Sequence, residues 1–372
     1  NKSKIVVTMR DFYKTSKSGV NIGFRPHTNT LEKAYHNTKE AYKFIFSFIN
    51  KYNLDYVIIN YESCVLNGEK YFNKMLDLLE LNTIKKMQIL VTGGTGFIGS
   101  YMANHLHKNG YDVTICDNNS RGVLDNFVSH LNFIECDLTD KSQLDKLDTD
   151  YDCVYHFAAI NGTENFYNIP HLVLKVNTLI NINILDWCVE HDIKILSTSS
   201  SEVYASTKDK DIPTKEDVTL SIDDVYNSRF SYAGSKIFGE LLFLNYSKQY
   251  DLDVKIVRPH NFYGARMGFE HVIPQVIKRI YNKENPFKIY GYNQTRSFCY
   301  IDDAVNALEL VMNTDDCSGK IIHIGTDIET KIIDLVQSLF NICDYKPEIE
   351  LVKPPIGSVD RRCPDISLLS EL

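Results

Sequence analysis

Tyr232 and Lys236 stand four residues apart in Ser231-Tyr232-Ala233-Gly234-Ser235-Lys236, a spacing that puts both side chains on one face of a helix. A lysine ammonium beside a phenol favours phenolate, so the pair is suited to take a proton from a hydroxyl near neutral pH. The same spacing occurs on solvated helix faces, and the pair alone leaves that alternative open. Upstream, Leu196-Ser197-Thr198-Ser199-Ser200-Ser201-Glu202-Val203-Tyr204 ends an apolar run with hydroxyls able to orient a substrate. A third group is residues 92–99, TGGTGFIG, set between the apolar run 88–91 and a helical pattern over 101–106. A buried strand, a glycine-dense turn and a helix N-terminus aim backbone N–H groups and a positive dipole end at a pyrophosphate, so a dinucleotide is expected here. Gly93, Gly96 and Gly99 would serve the tight turn, the close phosphate approach and the strand-to-helix packing. Their G-x-x-G-x-x-G spacing departs from the G-x-G-x-x-G of dehydrogenases.

The elements that must hold these residues show in the periodicity of the chain. A second strand ends at Asp117, about 18 residues beyond Gly99, where a carboxylate accepts hydrogen bonds from both ribose hydroxyls. That favours NAD over NADP, because a carboxylate repels a 2′-phosphate; Arg121 nearby softens the preference. From Met87 onward, strands at 88–92, 112–116, 132–136, 153–157, 193–198 and 254–258 alternate with amphipathic stretches. This rhythm predicts an α/β fold with a doubly wound, Rossmann-type parallel sheet. His156-Phe157-Ala158-Ala159 ends one strand with small residues that let the backbone approach a cofactor. Beyond Pro259 the rhythm loosens, and Pro274, Pro286, Pro347, Pro354 and Pro355 punctuate shorter elements. A smaller mixed α/β substrate domain over 261–372, closing on an NAD-binding domain over 87–260, is therefore expected.

The 372 residues, 44% of them hydrophobic, suffice for two or three domains with sizeable cores. A net charge of -8, a pI near 5.8 and no long basic run argue against a nucleic-acid groove. Nine scattered cysteines without a C-x-x-C pair predict free thiols in a reducing compartment. The histidines lack H-E-x-x-H spacing, so no metal site is expected. No 18-residue apolar stretch and no signal-peptide pattern are read, which predicts a cytoplasmic protein without a membrane partner.

Residues 1–86 read as a separate, partial α/β segment. Residues 4–9 form an expected strand ending at Arg10-Asp11, Ser18 follows, and a helix (38–52), a strand (56–62) and a helix (71–81) come after. This resembles the later half of a sulfotransferase, where strand-Arg-x7-Ser binds the 3′-phosphate of the sulfate donor. No GxxxxGK-like donor loop precedes it, so sulfate transfer is not expected from this segment. Lys85-Lys86-Met87 is the boundary, and Met87 is placed to start an independent enzyme; Asn1 in place of Met implies a true N-terminus upstream.

TGGTGFIG, Asp117, the serine run and the Tyr232–Lys236 pair, in that order, resemble the extended short-chain dehydrogenase/reductase family, the NAD-dependent epimerases and dehydratases of nucleotide sugars. The resemblance covers residues 87–372, and a usual member runs about 30 residues further, so a truncated C-terminus is expected. It implies NAD held by Gly93, Gly96, Phe97, Ile98, Gly99, Asp117, Asp137, Leu138, Ala158, Ala159 and Asn177, with Lys236 reaching the nicotinamide ribose beside Tyr232. It further implies Tyr232 as the base, Lys236 as the partner that lowers its pKa, and Ser200 as the residue that binds the reacting sugar hydroxyl. Asn261, Arg296 and Arg362 would touch the nucleotide diphosphate, a charge suited to paired cations, with Arg361 able to replace Arg362. The expected partners are a nucleotide-sugar substrate and a second copy of the chain in a homodimer.

In the implied chemistry Tyr232 deprotonates the sugar 4-hydroxyl while NAD oxidises that carbon, leaving a 4-keto sugar. Rotation and re-reduction give 4-epimerisation, a 5-carboxylate allows loss of CO₂, and loss of water across positions 5 and 6 gives a dehydratase. Glu202 discriminates, since decarboxylases and 4,6-dehydratases of the family carry glutamate there. Ser201 departs from the aspartate of dTDP-glucose-type dehydratases, although GDP-mannose-type dehydratases have Ser-Glu. Arg266-Met267 resembles decarboxylases. Tyr232-Ala233-Gly234-Ser235-Lys236 lacks the decarboxylase tyrosine-loop residues, and His271-Val272-Ile273-Pro274 is at home in epimerase-like members. The sequence thus favours a 4-epimerase over a decarboxylase, with a dehydratase third. A nucleotide-binding scaffold without turnover is the alternative of another class, and the intact Ser200, Tyr232 and Lys236 speak against it.

Overall fold

A computed structural model describes residues 5–9, 56–60, 86–125, 127–205, 211–354 and 358–372. The chain divides into two units, 1–86 and 87–372. In the first unit, strands Ile5–Met9 and Tyr56–Asn60 pair in parallel, with Ile5 opposite Tyr56 and Met9 opposite Asn60. The helices expected over 38–52 and 71–81, and Arg10 and Ser18, lie outside the described residues.

In the second unit seven parallel strands form one sheet, in the order Ile321–Ile324, Val254–Pro259, Lys194–Thr198, Cys153–His156, Gln88–Thr92, Asp112–Asp117, Asn132–Glu135. The chain enters at Gln88–Thr92, builds outward to Asn132–Glu135, then returns to the other side at Cys153–His156. Beyond the carboxyl ends of these two central strands the crossovers leave in opposite directions, which opens a crevice. Alternate residues of each strand point to opposite faces, so both faces carry cores. Ile89 and Val91 pack with Met102, Leu106, Ile115 and Leu308 on one face, while Leu90 packs with Val154, Ile184, Leu185 and Ile195 on the other.

Six of the seven strands lie where the sequence rhythm puts them; Ile321–Ile324 corrects the division at residue 260. This strand pairs with Val254–Pro259, Ile322 opposite Val257, and helix Ile301–Asn313 packs on helix Phe97–Lys108. The segment after 260 therefore leaves the sheet and returns to it. Four residues interrupted by a polar His323 give too short a pattern to reveal that return.

The excursion builds a smaller core from Val276, Ile280, Phe287, Ile289, Val336 and Phe340. Within it, Thr295–Ser297 lies between Glu329–Lys331 and Arg361–Arg362, and its parallel register puts Arg296 opposite Arg362. Helix Pro170–His191 also corrects the sequence reading: its 22 residues and mean hydropathy of 1.4 make it long and apolar enough to cross a membrane. Half of that apolar window is buried inside the fold, where the helix packs along helix Phe230–Tyr250, and its buried Asn177, Asn181 and Asn183 all bond to protein groups.

Gly99 is the tightest point of the glycine turn, because a Cβ there would run into the carbonyl oxygen of Gly93. Gly99→Ala is expected to destabilise the second unit by about 1–3 kcal/mol through overpacking. Thermal unfolding of the full chain checks this, and an unchanged midpoint would contradict the packing argument.

Candidate active site

The crevice is a cavity of about 1170 Å³, above the roughly 300–1,000 Å³ typical of a single drug-sized ligand and roomy enough for a dinucleotide beside a second ligand. Gly93, Gly96, Phe97, Ile98, Gly99, Asp117, Asp137, Leu138, Ala158 and Ala159 line one part, and Ser200, Glu202, Tyr232, Lys236, Asn261 and Arg296 line another. Two of the residues singled out in the sequence stand behind the wall. Asn177 is buried, accepts from Ile160 N at 2.8 Å and donates to Ser235 Oγ at 3.0 Å, so its amide holds the loop after Ala159 to the helix of Tyr232. Arg362 is also buried and reaches Glu202 from outside the lining.

The turn fits a dinucleotide. Gly93 has φ 67°, a left-handed conformation, and a Cβ there would stand 2.7 Å from Ala158 N. Gly96 caps helix Phe97–Lys108 without a side chain, so the first N–H groups of that helix line the cavity with nothing in front of them from the cap. Asp117 accepts from Thr95 N at 3.1 Å and from Asn119 N at 2.9 Å, which fixes the carboxylate and leaves acceptor capacity for ribose hydroxyls. Arg121 is directed elsewhere than the ribose: it donates to Asn161 O at 2.8 Å and pairs with Glu270. The softening of NAD preference expected from Arg121 therefore has no basis in its placement.

Tyr232 and Lys236 share the buried side of helix Phe230–Tyr250. Phe166 stacks on the tyrosine ring at 4.7 Å between centroids, a contact that sequence spacing gave no sign of. Burial pushes the Tyr232 phenol above its ordinary value, against the hydrogen bond with Ser200 and the nearby Arg121 charge, which favour phenolate. Burial pushes the Lys236 ammonium down to about 8, with Glu240 acting the other way. Lys236 Nζ donates to Thr198 O at 2.8 Å and lies 5.7 Å from the Tyr232 ring centroid. Ser200 and Arg121 are the groups that pull the phenol down against its burial.

The serine loop is held from beneath. Ser200 accepts from Glu202 N at 3.1 Å and so caps the short helix Ser201–Tyr204. Ser199 Oγ donates to Glu240 Oε1 at 2.5 Å, and Glu240 receives Arg258 Nε and Nη2 at 2.7 Å each. Arg258 also donates to Glu216 O at 2.8 Å and to the Tyr204 hydroxyl.

Glu202 and Arg362 form an ion pair across 160 residues of sequence. Burial raises the Glu202 carboxyl, yet Arg362, Arg229 and Arg296 around it hold it below the ordinary carboxylate range. Burial lowers the Arg296 guanidinium to about 10, with the charge of Arg362 adding to the effect. Arg229, three residues before Tyr232 and so on the adjoining helical turn, was overlooked in the sequence and also lines the cavity. Asn261 has φ 41° and donates to Ser297 O at 2.9 Å, which ties the end of the sheet to the strand of Arg296.

His156 stands behind the glycine turn, its Nδ1 2.8 Å from the Thr92 hydroxyl and its Nε2 3.1 Å from Asn181 Oδ1. Burial, then the charge of Lys236, lowers it to about 3. The unfolded chain takes up this proton below about pH 6.5, so stability present above that pH is lost as the pH falls toward the native value. His156→Gln is expected to lose less stability than the wild type on acidification through this window, as read by urea unfolding; parallel losses would remove His156 from the account.

Residues 89–325 match the family model described as the NAD dependent epimerase/dehydratase family. The chain is 32% identical over 300 residues to a UDP-N-acetyl-alpha-D-glucosaminuronate decarboxylase of Bacillus cytotoxicus, covering 77% of this chain and 92% of that protein. It is 31% identical over 292 residues to a putative UDP-glucose 4-epimerase of Methanocaldococcus jannaschii, covering 76% and 92%. Among solved structures, the UDP-glucose 4-epimerase of Thermotoga maritima superposes with a TM-score of 0.70 at 26% identity, over 77% of this chain and 92% of that one. With the glycine turn, Asp117 and the Tyr232–Lys236 pair gathered around one cavity, this chain belongs to the NAD-dependent epimerase/dehydratase family and is an enzyme of nucleotide sugars.

Proposed function

We propose that this enzyme oxidises the 4-hydroxyl of a nucleotide-linked sugar carrying a carboxylate at C5, and that the resulting β-keto acid loses CO₂. The observation that carries this reading is the Glu202–Arg362 pair. It lies two residues from Ser200, which bonds the Tyr232 phenol, so Arg362 stands just behind the wall at the reacting end of the cavity, beside Arg296. Arg362 Nη2 is buried and has no hydrogen-bond partner among the described residues. A sugar carboxylate at this end of the cavity meets Arg229 in the lining, with the buried Arg362 behind Glu202 adding positive charge, a complement that a neutral hexose lacks. Arg296 is left as the cation for the diphosphate, with Asn261 at its side.

Bound NAD supplies the two-electron oxidation at C4 and the later reduction. Ser200 and Tyr232 hold the 4-oxygen, and Tyr232 takes its proton. Because burial favours the neutral phenol, this transfer depends on the cations and donors around the ring, Ser200 and Arg121 first, with Lys236 close by. Once C4 is a carbonyl, the electron pair of the C5–carboxylate bond moves toward the 4-oxygen as CO₂ leaves. The Ser200 and Tyr232 hydroxyls face the negative charge that grows there.

A second reading, 4-epimerisation, is favoured by the Tyr232-Ala233-Gly234-Ser235-Lys236 and His271-Val272-Ile273-Pro274 runs and by the 31% identical putative epimerase. In that case Arg362 serves only to hold Glu202 and to add positive charge behind Arg296. The homodimer is supported by Leu174, Phe238 and Leu241, exposed on the two long packed helices.

Incubation with UDP-glucuronate, UDP-glucose, UDP-N-acetylglucosamine and GDP-mannose, read by mass and NMR, separates the fates. Loss of CO₂ from the uronate is expected; isomerisation of a neutral sugar with the uronate untouched would replace the decarboxylase by the epimerase. Tyr232→Phe is expected to bind NAD but to lose turnover by about 10²–10⁴-fold. Arg362→Met is expected to lower CO₂ release by about 10²-fold or more while leaving NAD binding intact.

A further inference from the structure

We propose that two ion pairs form an antiparallel clasp over the cofactor cavity, joining residues 121–125 to residues 266–270, and that this clasp retains NAD between turnovers. It rests on NAD as the cofactor and is independent of the fate of the keto sugar. Arg121 pairs with Glu270, and Arg266 Nη1 pairs with Asp125 Oδ2 at 2.5 Å. The partners are four residues apart on each segment and run in opposite directions. Each segment carries one cation and one anion, arranged so that the antiparallel register joins unlike charges, while a parallel one would oppose like charges.

Both segments are anchored where the cofactor is expected. Residues 121–125 follow Asp117 closely, and Val123 N donates to Thr95 O at 3.3 Å, inside the glycine turn. Gly122 lies so close to Thr95 that any side chain there would collide with it. Arg121 reaches on to Asn161 O at 2.8 Å, beyond the strand Cys153–His156. Residues 266–270 follow Asn261 in the excursion that builds the smaller core. Arg266 adds a hydrogen bond to Val123 O at 3.4 Å and lies 4.8 Å from the centroid of the Phe127 ring. Arg121, Asp125, Arg266 and Glu270 all line the cavity.

The wall beside the pyrophosphate turn is therefore made from two segments about 140 residues apart in the chain, tied by charge. A single exposed ion pair contributes little, but two pairs sharing one register, reinforced by the Phe127 contact, must separate together. Such a closure suits a reaction that oxidises and then reduces the same substrate, because the cofactor ends each cycle as it began and has no need to leave.

The test uses the full chain loaded with NAD, and follows NAD release by gel filtration over time with mass spectrometry of the retained nucleotide. Arg121→Glu and Glu270→Arg are each expected to speed release by about tenfold, and the double reversal, which restores unlike charges, to recover most of that loss. Asp125→Arg and Arg266→Asp form a second such cycle. Release at the wild-type rate in the single variants, or no recovery in either double variant at an unchanged melting temperature, would overturn the clasp. If a reversal fails to fold, Arg121→Gln and Glu270→Gln provide the same comparison, with a release rate equal to wild type in both counting against it.

Discussion

The buried ion pair between Arg258 and Glu240 is the contact on which the catalytic geometry rests. Both side chains are almost fully buried, at 2% and 5% exposure, and their two parallel hydrogen bonds satisfy the fork of one and the carboxylate of the other. Removing one partner of such a pair typically costs about 3–5 kcal/mol, because the other is left as an uncompensated charge. Glu240 lies on the helix of Tyr232 and Lys236, Arg258 on the strand Val254–Pro259, and Ser199 on the loop that carries Ser200 and Glu202. One carboxylate thereby fixes Tyr232, Lys236 and the loop of Ser200 relative to the sheet. Tyr204, bonded to both Arg258 and His323, extends the same network to the edge strand Ile321–Ile324.

The cavity has two electrostatic regions. At the glycine turn, positive character comes from backbone N–H groups and a helix end, fixed dipoles suited to a pyrophosphate. At the other region it comes from Arg229, Arg296 and Arg362 gathered around Glu202. Glu202 offsets the mutual repulsion of these cations, and Arg296 titrates low because burial and Arg362 both disfavour its charge. Between the two regions lies Tyr232, with its phenol raised by burial and its hydrogen bond to Ser200 opposing that shift. Burial outweighs these opposing donors and favours the neutral phenol, so proton transfer at this group depends on the donors and cations close to it.

Much of the framework was legible in the sequence because it is encoded locally. Six strands of the sheet follow from apolar runs, and the turn from three glycines at fixed spacing. The Tyr232–Lys236 spacing and the acidic residue that ends Asp112–Asp117 follow in the same way. Ile321–Ile324 was missed for a complementary reason. Its four residues carry no turn chemistry of their own, and their place beside Val254–Pro259 depends on a long excursion through the smaller core. The membrane-length hydropathy of Pro170–His191 was overlooked because its asparagines break the apolar run; folded, those polar groups bond inside the protein and the apolar side faces the core.

What the sequence by itself determined is the set of groups: a glycine-rich turn, an acidic residue at a strand end, hydroxyls and a tyrosine on a helix, each defined by residues a few positions apart. What only the tertiary structure decided is which charges meet. Glu202 with Arg362, Arg258 with Glu240, Arg121 with Glu270 and the turning of Lys236 toward Thr198 all join segments that the backbone brings together from far along the chain. Coulomb interactions act through space over a few ångströms and are indifferent to sequence distance. Spacing in a single chain therefore reveals the reactive groups, while their protonation and partners are set by the fold.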